Sequence, residues 1–501
     1  MGWDAEYDVV VVGSGAGAMT GALLAAKAGL QVAVVEKTDL LGGTSAYSGA
    51  AIWMPGTQVQ QRAENGDSTE AARTYLNALL DDPDQEKVEA FLTRAPELAA
   101  TLEEDPWLEF AWQAFPDYFD RPGRVPQGRS FTPVPLPLDE IGERISLVRP
   151  PVDRERFGKS HHLGQPLAAG RALIGRLLLA LDATEGATIH TQVTMDELVE
   201  EQGRVVGIAG TRADGSRVHL AARRGVLLAA GGFERNNDER ARHGVPGNAD
   251  WTMAPSGTNT GEPIAAAVAV GAATDLMDQG WFCPGIAHPD GSAAFTLGFR
   301  GGLVVDQSGE RYANESLPYD QMGRQMAADP ARIPSYVVFD ATSMGHLPAI
   351  AIPEGDPEHH LASGTWHRAD SLPELAAAIG VPADALGATV ERFNGFAASG
   401  VDEDFGRGAD EFDRYFADPS LVPVVRGPFW AARLLLSDLG TKGGLVTDAA
   451  ARVLREDGSA IEGLYAAGNT SASMTGAHYP GPGVPLATAM VFASLAVSDL
   501  T

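Results

Sequence analysis

Cysteine is nearly absent from this chain of 501 residues. Cys283 stands alone, so no intrachain disulfide can form, and a reducing, cytoplasmic compartment is expected. Lysine is almost as scarce. Basic residues total 37 against 66 acidic ones, for a net charge of −29. Such a surface repels phosphate backbones and excludes nucleic acid as a partner class. No uncharged apolar run reaches the roughly 18 residues that a membrane span needs, although peripheral contact of an apolar patch with a membrane stays open. The segment Met1 to Tyr7 has neither a basic n-region nor an apolar h-region, so no secretory leader is read there. Metal ligands are sparse too. His161-His162 and His359-His360 are adjacent pairs, which rarely hold one ion, and no cysteine or carboxylate cluster accompanies them. No metal site is expected.

Glycine is plentiful, at 58 residues, and it clusters. Tyr7 to Val12 is a continuous β-branched run, as a parallel strand buried on both faces requires. Gly13-Ser14-Gly15-Ala16-Gly17-Ala18 follows, then an Ala/Leu helix to Ala28 stopped by Gly29. Gln31 to Glu36 is a second strand, completing a βαβ unit. Further on, residues 68–105 read as acidic helix and 121–166 as a Pro/Arg-rich excursion without helical period. Residues 167–183 read as a buried helix. Strands with turns at Gln202-Gly203 and Asp214-Gly215 cover 187–219, and Gly225 to Gly232 is a buried strand ending in a glycine pair. Near 275 the texture shifts to mixed strands, turns and helices. Ser371 and Glu374 stand at capping-box spacing before the first of two helical patterns in 372–398. The glycine-rich texture returns at Gly440-Thr-Lys-Gly-Gly444 and runs through Gly463 to Asn469 into an apolar helix after Gly483.

The expected fold is α/β, and α+β overall. A Rossmann-like dinucleotide domain (1–275 and 437–501) is interrupted by an inserted α+β domain (276–436). A Gly13-x-Gly15 turn lets backbone approach a pyrophosphate seated on a helix N-terminus. Ala18 lets the helix pack closely, and Glu36 ends its strand 23 residues after Gly13, where it can accept from a ribose diol. FAD is favoured over NAD. A second cluster, Gly42-Gly43-Thr44-Ser45 with Ser48-Gly49, follows Glu36, and a late strand ends in Gly468-Asn469 before the last helix. The N-terminus of such a helix stabilises negative charge on a reduced flavin. No attachment histidine stands in the glycine clusters, so the FAD is expected to be noncovalent.

Gly13 to Gly17, Glu36-Lys37 and Gly42 to Gly49 resemble the fumarate reductase/succinate dehydrogenase-type flavoproteins. Pro116-Asp117-Tyr118, Asn314 to Tyr319 and His478-Tyr479-Pro480-Gly481-Pro482-Gly483 look like a narrower branch, the 3-ketosteroid Δ1-dehydrogenases. Arg129-Ser130, Arg149-Pro150-Pro151, Glu391 to Asn394 and Asp402 to Arg407 look like that branch as well. The resemblance spans nearly the whole chain. It implies a two-domain flavoenzyme that introduces a carbon 1–carbon 2 double bond into a 3-ketosteroid, with a site of Tyr118, Tyr319, Tyr479 and Gly483. It adds Val193, Ala230, Gly231, Pro485 and Leu486 to the expected cofactor contacts, beside the fingerprint and second-cluster residues named above.

The chemistry suits those residue types. A hydrogen beside a ketone is acidic only if the enolate oxygen is stabilised, and two donors aimed at that oxygen supply this. The Tyr479 hydroxyl and the Gly483 N–H stand four residues apart across a Pro-Gly-Pro bend, so they can converge; glycine at 483 is expected because a ring must approach the backbone. Tyr319, activated from the ordinary phenol pKa of about 10 with help from Tyr118, would take the carbon 2 proton. The carbon 1 hydride would pass to flavin N5, and a quinone-like acceptor would reoxidise the flavin. Two other readings stand beside this one: a fumarate reductase-like dicarboxylate reductase, which needs arginines and a histidine converging on carboxylates, and a non-catalytic flavin- or steroid-binding paralogue.

Overall fold

The computed structural model describes residues 2–501. The chain forms two compact units. One holds the residues through Gly244, Ala254–Gln279 and Gly440–Thr501; the other holds Val245–Met253 and Gly280–Leu439.

The first unit is built on β1 (Ala5–Val12), α1 (Ala16–Lys27) and β2 (Val32–Val35). Val9 to Val12 and all four residues of β2 are buried, so the β-branched runs carry no polar face. β1 pairs in parallel with β2, Val12 opposite Val35, and with strand Arg217–Leu228 on its other side. Strands Ala187–His190 and Ala460–Ala466 extend this eight-stranded sheet as parallel neighbours. Val193–Glu201, Arg204–Arg212 and Arg217–Leu228 form an antiparallel meander. Its turns use the positive φ of Gly203 and Gly215. The acidic helical stretch resolves into Thr69–Leu79 and Gln85–Glu103. The 121–166 excursion carries one short strand, Phe131–Pro133, and short turns of helix such as Leu138–Ile141 and Val152–Glu155.

α1 and the C-terminal helix, Val484–Leu500, are apolar on nearly every side, as helices buried on most faces must be. They touch through glycine: a Cβ on Gly17 would sit 2.8 Å from the Ala489 carbonyl oxygen. This contact draws the N-termini of both helices to one region of the unit.

The second unit is an antiparallel sheet in the order Leu303–Val305, Ser335–Asp340, Phe429–Thr441, Gly280–Ala287, Ala293–Leu297, Ile350–Ile352, with Trp366–Ala369 also on Phe429–Thr441. Helices Leu372–Ile379 and Ala383–Ser399 cover one face, packing Leu386, Val390 and Phe393 on Leu303, Val338 and Ala431. Ser371 accepts from Glu374 N at 3.4 Å at the start of the first. Val245–Met253 joins this unit because Met253 N and the Thr252 hydroxyl both bond Asp438, and the Ser437 hydroxyl bonds the Trp251 carbonyl. Among the described residues no helix is long and apolar enough to cross a membrane.

Candidate active site

The glycine turn after β1 is pressed against the neighbouring strand end. Gly13 has φ +107, and a Cβ there would lie 2.4 Å from the Ala229 carbonyl oxygen. Gly15 caps α1 without any side-chain cap, and the Ser45 hydroxyl accepts from Ala16 N at 3.1 Å. The first and second glycine clusters are therefore one structure. Ser14 joins them again: its hydroxyl donates to Glu36 Oε2 at 2.6 Å and accepts from Gly42 N at 2.9 Å. Glu36 Oε1 accepts from the N–H and hydroxyl of Thr38, and Val193 N donates to the Glu36 carbonyl. Lys37 turns to Thr260 and Glu262, each at 2.7 Å.

At the far strand ends, the Thr470 hydroxyl accepts from Ala230 N and donates to the Gly231 carbonyl, both at 2.9 Å. This stitches the glycine pair to the turn Gly468–Thr470. A Cβ on Gly440 would meet Asn469 Nδ2 at 2.2 Å. These residues fit a flavin dinucleotide. Backbone faces open space at Gly43 and Gly49, where an added Cβ meets nothing within 4 Å. The Thr44 hydroxyl beside them is buried with no hydrogen-bond partner among the described residues. Such a buried donor calls for a ligand.

The Tyr479 to Gly483 loop closes the site from the C-terminal helix. Tyr479 is buried, and Gly483 N lies 3.4 Å from its hydroxyl oxygen. Tyr118 is buried edge-on to Tyr479, ring centroids 5.3 Å apart. Three carbonyls at the bend are held by hydrogen bonds. Pro480 O accepts from Tyr118 N at 3.0 Å and from the Tyr75 hydroxyl at 2.7 Å. Pro482 O accepts from the Ser130 hydroxyl at 2.5 Å. His478 O accepts from the Thr475 hydroxyl at 2.8 Å and from the buried Lys442 ammonium. Gly481 is glycine because a Cβ would come 2.5 Å from Trp53 Nε1. That indole N–H donates to Asp117 at 2.8 Å, and Asp117 also takes two bonds from Arg129. Arg129 is fully buried and reaches Asp67 at 2.8 Å. Burial pushes the Asp67 carboxyl above its usual range, with Arg129 pulling the other way.

Gly483 has φ +91, and its Cα faces the Ala51 backbone, where a Cβ would sit 2.0 Å from the carbonyl oxygen. The chain's own packing is enough to require glycine there.

Tyr319 belongs to the second unit. It opens helix Tyr319–Ala327, which lies on Gly280–Ala287 so closely that a Cβ on Gly323 would stand 2.7 Å from Cys283 N. Its ring packs edge-on against Phe295 at 4.9 Å. The segment before it is held by buried charge. Glu315 accepts from Arg311 and Arg407, and Arg311 also pairs with Asp402. Arg407 donates to the Ser316 hydroxyl and the Gly302 carbonyl as well. Burial would raise the Glu315 pKa, but the two guanidiniums outweigh it and hold the carboxyl below its usual range. Two motifs some ninety residues apart, Asn314 to Tyr319 and Asp402 to Arg407, are thus one cluster, with Phe393 beneath Arg311 at 4.9 Å.

Tyr118, Tyr479 and Gly483 therefore meet in the first unit, and Tyr319 is carried by the second. Sequence reasoning missed Trp53, Asp67, Tyr75 and Lys442. For Ser130 and Arg129 it found the motif without a role. Lys442 did leave a signal, since it is a rare lysine inside a glycine cluster.

The strand-end glycines, the buried Glu36 and the paired helix N-termini define a flavin-dependent oxidoreductase of the dinucleotide-binding type. The family model described as an FAD binding domain matches residues 8–486. A 3-oxosteroid 1-dehydrogenase of Rhodococcus opacus is 41% identical, with 99% of each chain covered. A 4-oxocyclohexanecarboxylate 2-dehydrogenase of Sinomonas cyclohexanicum is 35% identical, covering 98% of this chain and 92% of its own. The crystal structure of the 3-ketosteroid Δ1-dehydrogenase of Sterolibacterium denitrificans, in complex with 1,4-androstadiene-3,17-dione, superposes with a TM-score of 0.91 at 33% identity, 99% of each chain covered. The chain belongs to the FAD-binding family and, within it, to the 3-oxosteroid 1-dehydrogenase group; it is an FAD-dependent dehydrogenase.

Proposed function

We propose that this protein desaturates the carbon 1–carbon 2 bond of 3-ketosteroids. The observation that carries the reading is the buried convergence of the Tyr479 hydroxyl and the Gly483 N–H, 3.4 Å apart, at the start of the C-terminal helix. Both groups are donors, and a carbonyl oxygen entering between them replaces a long hydrogen bond with two short ones. Each donor contributes roughly 3 kcal/mol to stabilising an enolate oxygen. Tyr319 takes the proton from carbon 2, with Tyr118 assisting, and the carbon 1–carbon 2 double bond forms as the carbon 1 hydride departs. FAD, when bound, supplies the acceptor for that hydride. Glu36, Ser14 and the Gly42 to Gly49 segment would hold its ribose and pyrophosphate, and Pro485 and Leu486 at the start of the C-terminal helix would contact it. A quinone-like acceptor then collects the two electrons, and the reaction runs in the cytoplasm.

The test is anaerobic mixing with a panel of 3-ketosteroids. Bleaching of the yellow flavin band is the expected result. Spectral perturbation without bleaching would mean binding alone. A 3-hydroxysteroid cannot form an enolate and should leave the band intact. Tyr479→Phe removes one donor and should slow turnover about a hundredfold. Tyr319→Phe should lower turnover by about 10²–10⁴-fold while FAD stays bound. The 4-oxocyclohexanecarboxylate relative supports a second reading, in which the same two donors serve a smaller ring ketone. Bleaching by 4-oxocyclohexanecarboxylate but by no steroid would decide for it.

A further inference from the structure

We infer that Ser130 is a positioning residue that orients and polarises the Gly483 N–H through the Pro482–Gly483 peptide. This rests on the reading above, in which that N–H donates to the substrate carbonyl. One planar peptide unit carries both the Pro482 carbonyl and the Gly483 N–H, and the two point in opposite directions across it. The carbonyl end is fixed: the fully buried Ser130 hydroxyl donates to Pro482 O at 2.5 Å. The other end aims at the Tyr479 hydroxyl. Fixing one end fixes the other.

The bond also has an electronic effect. A hydrogen bond to an amide oxygen draws charge from the nitrogen and makes the N–H a better donor, and in a buried setting such chains strengthen each other by about 10–30% per bond. Ser130 is itself well anchored. Gln113 N donates to its carbonyl, and the preceding Arg129 is locked by Asp117 and Asp67. Gly483 is packed on Ala51, so its Cα is held at one end of the peptide while Ser130 holds the carbonyl at the other. Ser130 reaches the reaction only through this peptide.

The experiment compares wild type, Ser130→Ala, Ser130→Cys and Ser130→Thr as flavin-loaded proteins. Two readouts are used. One is the carbonyl stretching frequency of a bound 1,4-diene-3-ketosteroid. The other is deuterium uptake at carbon 2 of a 3-ketosteroid, with the flavin chemically reduced so that no hydride can transfer. In Ser130→Ala the carbonyl band should move to higher wavenumber, and exchange should slow about two- to fivefold, because the Gly483 N–H becomes a weaker donor without being lost. KM should change less than kcat. Ser130→Thr, which keeps the hydroxyl, should recover both signals. Ser130→Cys keeps the volume with a weak donor and should behave like Ser130→Ala; it carries the test if Ser130→Ala fails to load flavin. Unchanged frequency and exchange in a loaded Ala or Cys variant would overturn the role of Ser130. If wild type itself shows no lowered carbonyl frequency and no exchange, the carbonyl-binding reading fails instead, and the two failures are distinguishable.

Discussion

Gly29, at the end of α1, and Gly483, in the site, show how differently the same residue can be required. Gly29 has φ +81 with nothing within 4 Å of an added Cβ, so Gly29→Ala meets only backbone strain, about 1–2 kcal/mol. Gly483 combines φ +91 with a backbone atom 2.0 Å from the added carbon. Gly483→Ala should therefore displace the start of the C-terminal helix, and turnover should fall further than in Tyr479→Phe, with weaker flavin retention besides. Equal kcat losses with unchanged FAD affinity would show that the helix start does not move. Glu36 offers a charge test. Its carboxylate is buried and accepts from Ser14 and Thr38. Glu36→Ala strands those donors as well as removing the ribose acceptor, and should weaken FAD binding by about 1.5–3 kcal/mol. An FAD titration followed by flavin fluorescence measures it; unchanged affinity would remove Glu36 from the ribose site. Heat or acid should release free FAD from the wild type, and flavin remaining on the precipitated chain would contradict noncovalent binding.

At the scale of elements, α1 and the C-terminal helix approach through glycine, most tightly at Gly17 on Ala489 and again at Gly21 on Ala493. Gly17→Val would push two methyl groups into the Ala489 backbone, 2.8 Å from where the Cβ begins. Overpacking of this kind costs about 1–3 kcal/mol, and here it should separate the two helix N-termini at the proposed cofactor site. Denaturant unfolding should report the stability loss, and FAD titration should report a lower affinity; a shift in stability alone would uncouple the helix contact from the site. These elements were legible in the sequence for a physical reason. β1, β2 and the helix between them are written in local periodicity: buried β-branched runs, then Ala/Leu, with glycine at each turn. The four-residue spacing of Tyr479 and Gly483 was legible on the same terms, because a tight bend keeps sequence neighbours close. Trp53, Tyr75 and Asp67 were not legible. They reach the Tyr479 to Gly483 loop only through folding that joins positions more than 400 residues apart, such as the Tyr75 hydroxyl to Pro480 O. The packing of Gly483 on Ala51 was not legible for the same cause, since Ala51 is remote in sequence and adjacent in space.

For the whole molecule, the decisive fact is where the paired charge lies. The net charge of −29 belongs mostly to solvated surface, while the second unit buries Arg311, Glu315, Asp402 and Arg407 together. Arg311 and Arg407 hold the Glu315 pKa below its usual range against burial, and Arg311 with local N–H bonds does the same for Asp402. A carboxyl with a depressed folded pKa binds fewer protons folded than unfolded. Its stabilisation is present above the unfolded value of about 4 and is lost as pH falls through the folded value. Asp413, raised by burial although Asn314 and Gly408 N donate to it, acts with the opposite sign. Its effect is confined to pH above the unfolded value, so it does not protect the cluster in stronger acid. Residues 299–320 and 402–413 should therefore keep their hydrogen-exchange protection from pH 7 to about 4.5 and lose it progressively below. Glu315→Gln removes the buried anion and leaves Arg311 and Arg407 facing each other. That variant should be less protected already at pH 7, with a flatter acid profile. Protection factors in the wild type that stay constant down to pH 3 would mean that the Glu315 pairings do not hold the segment leading into Tyr319.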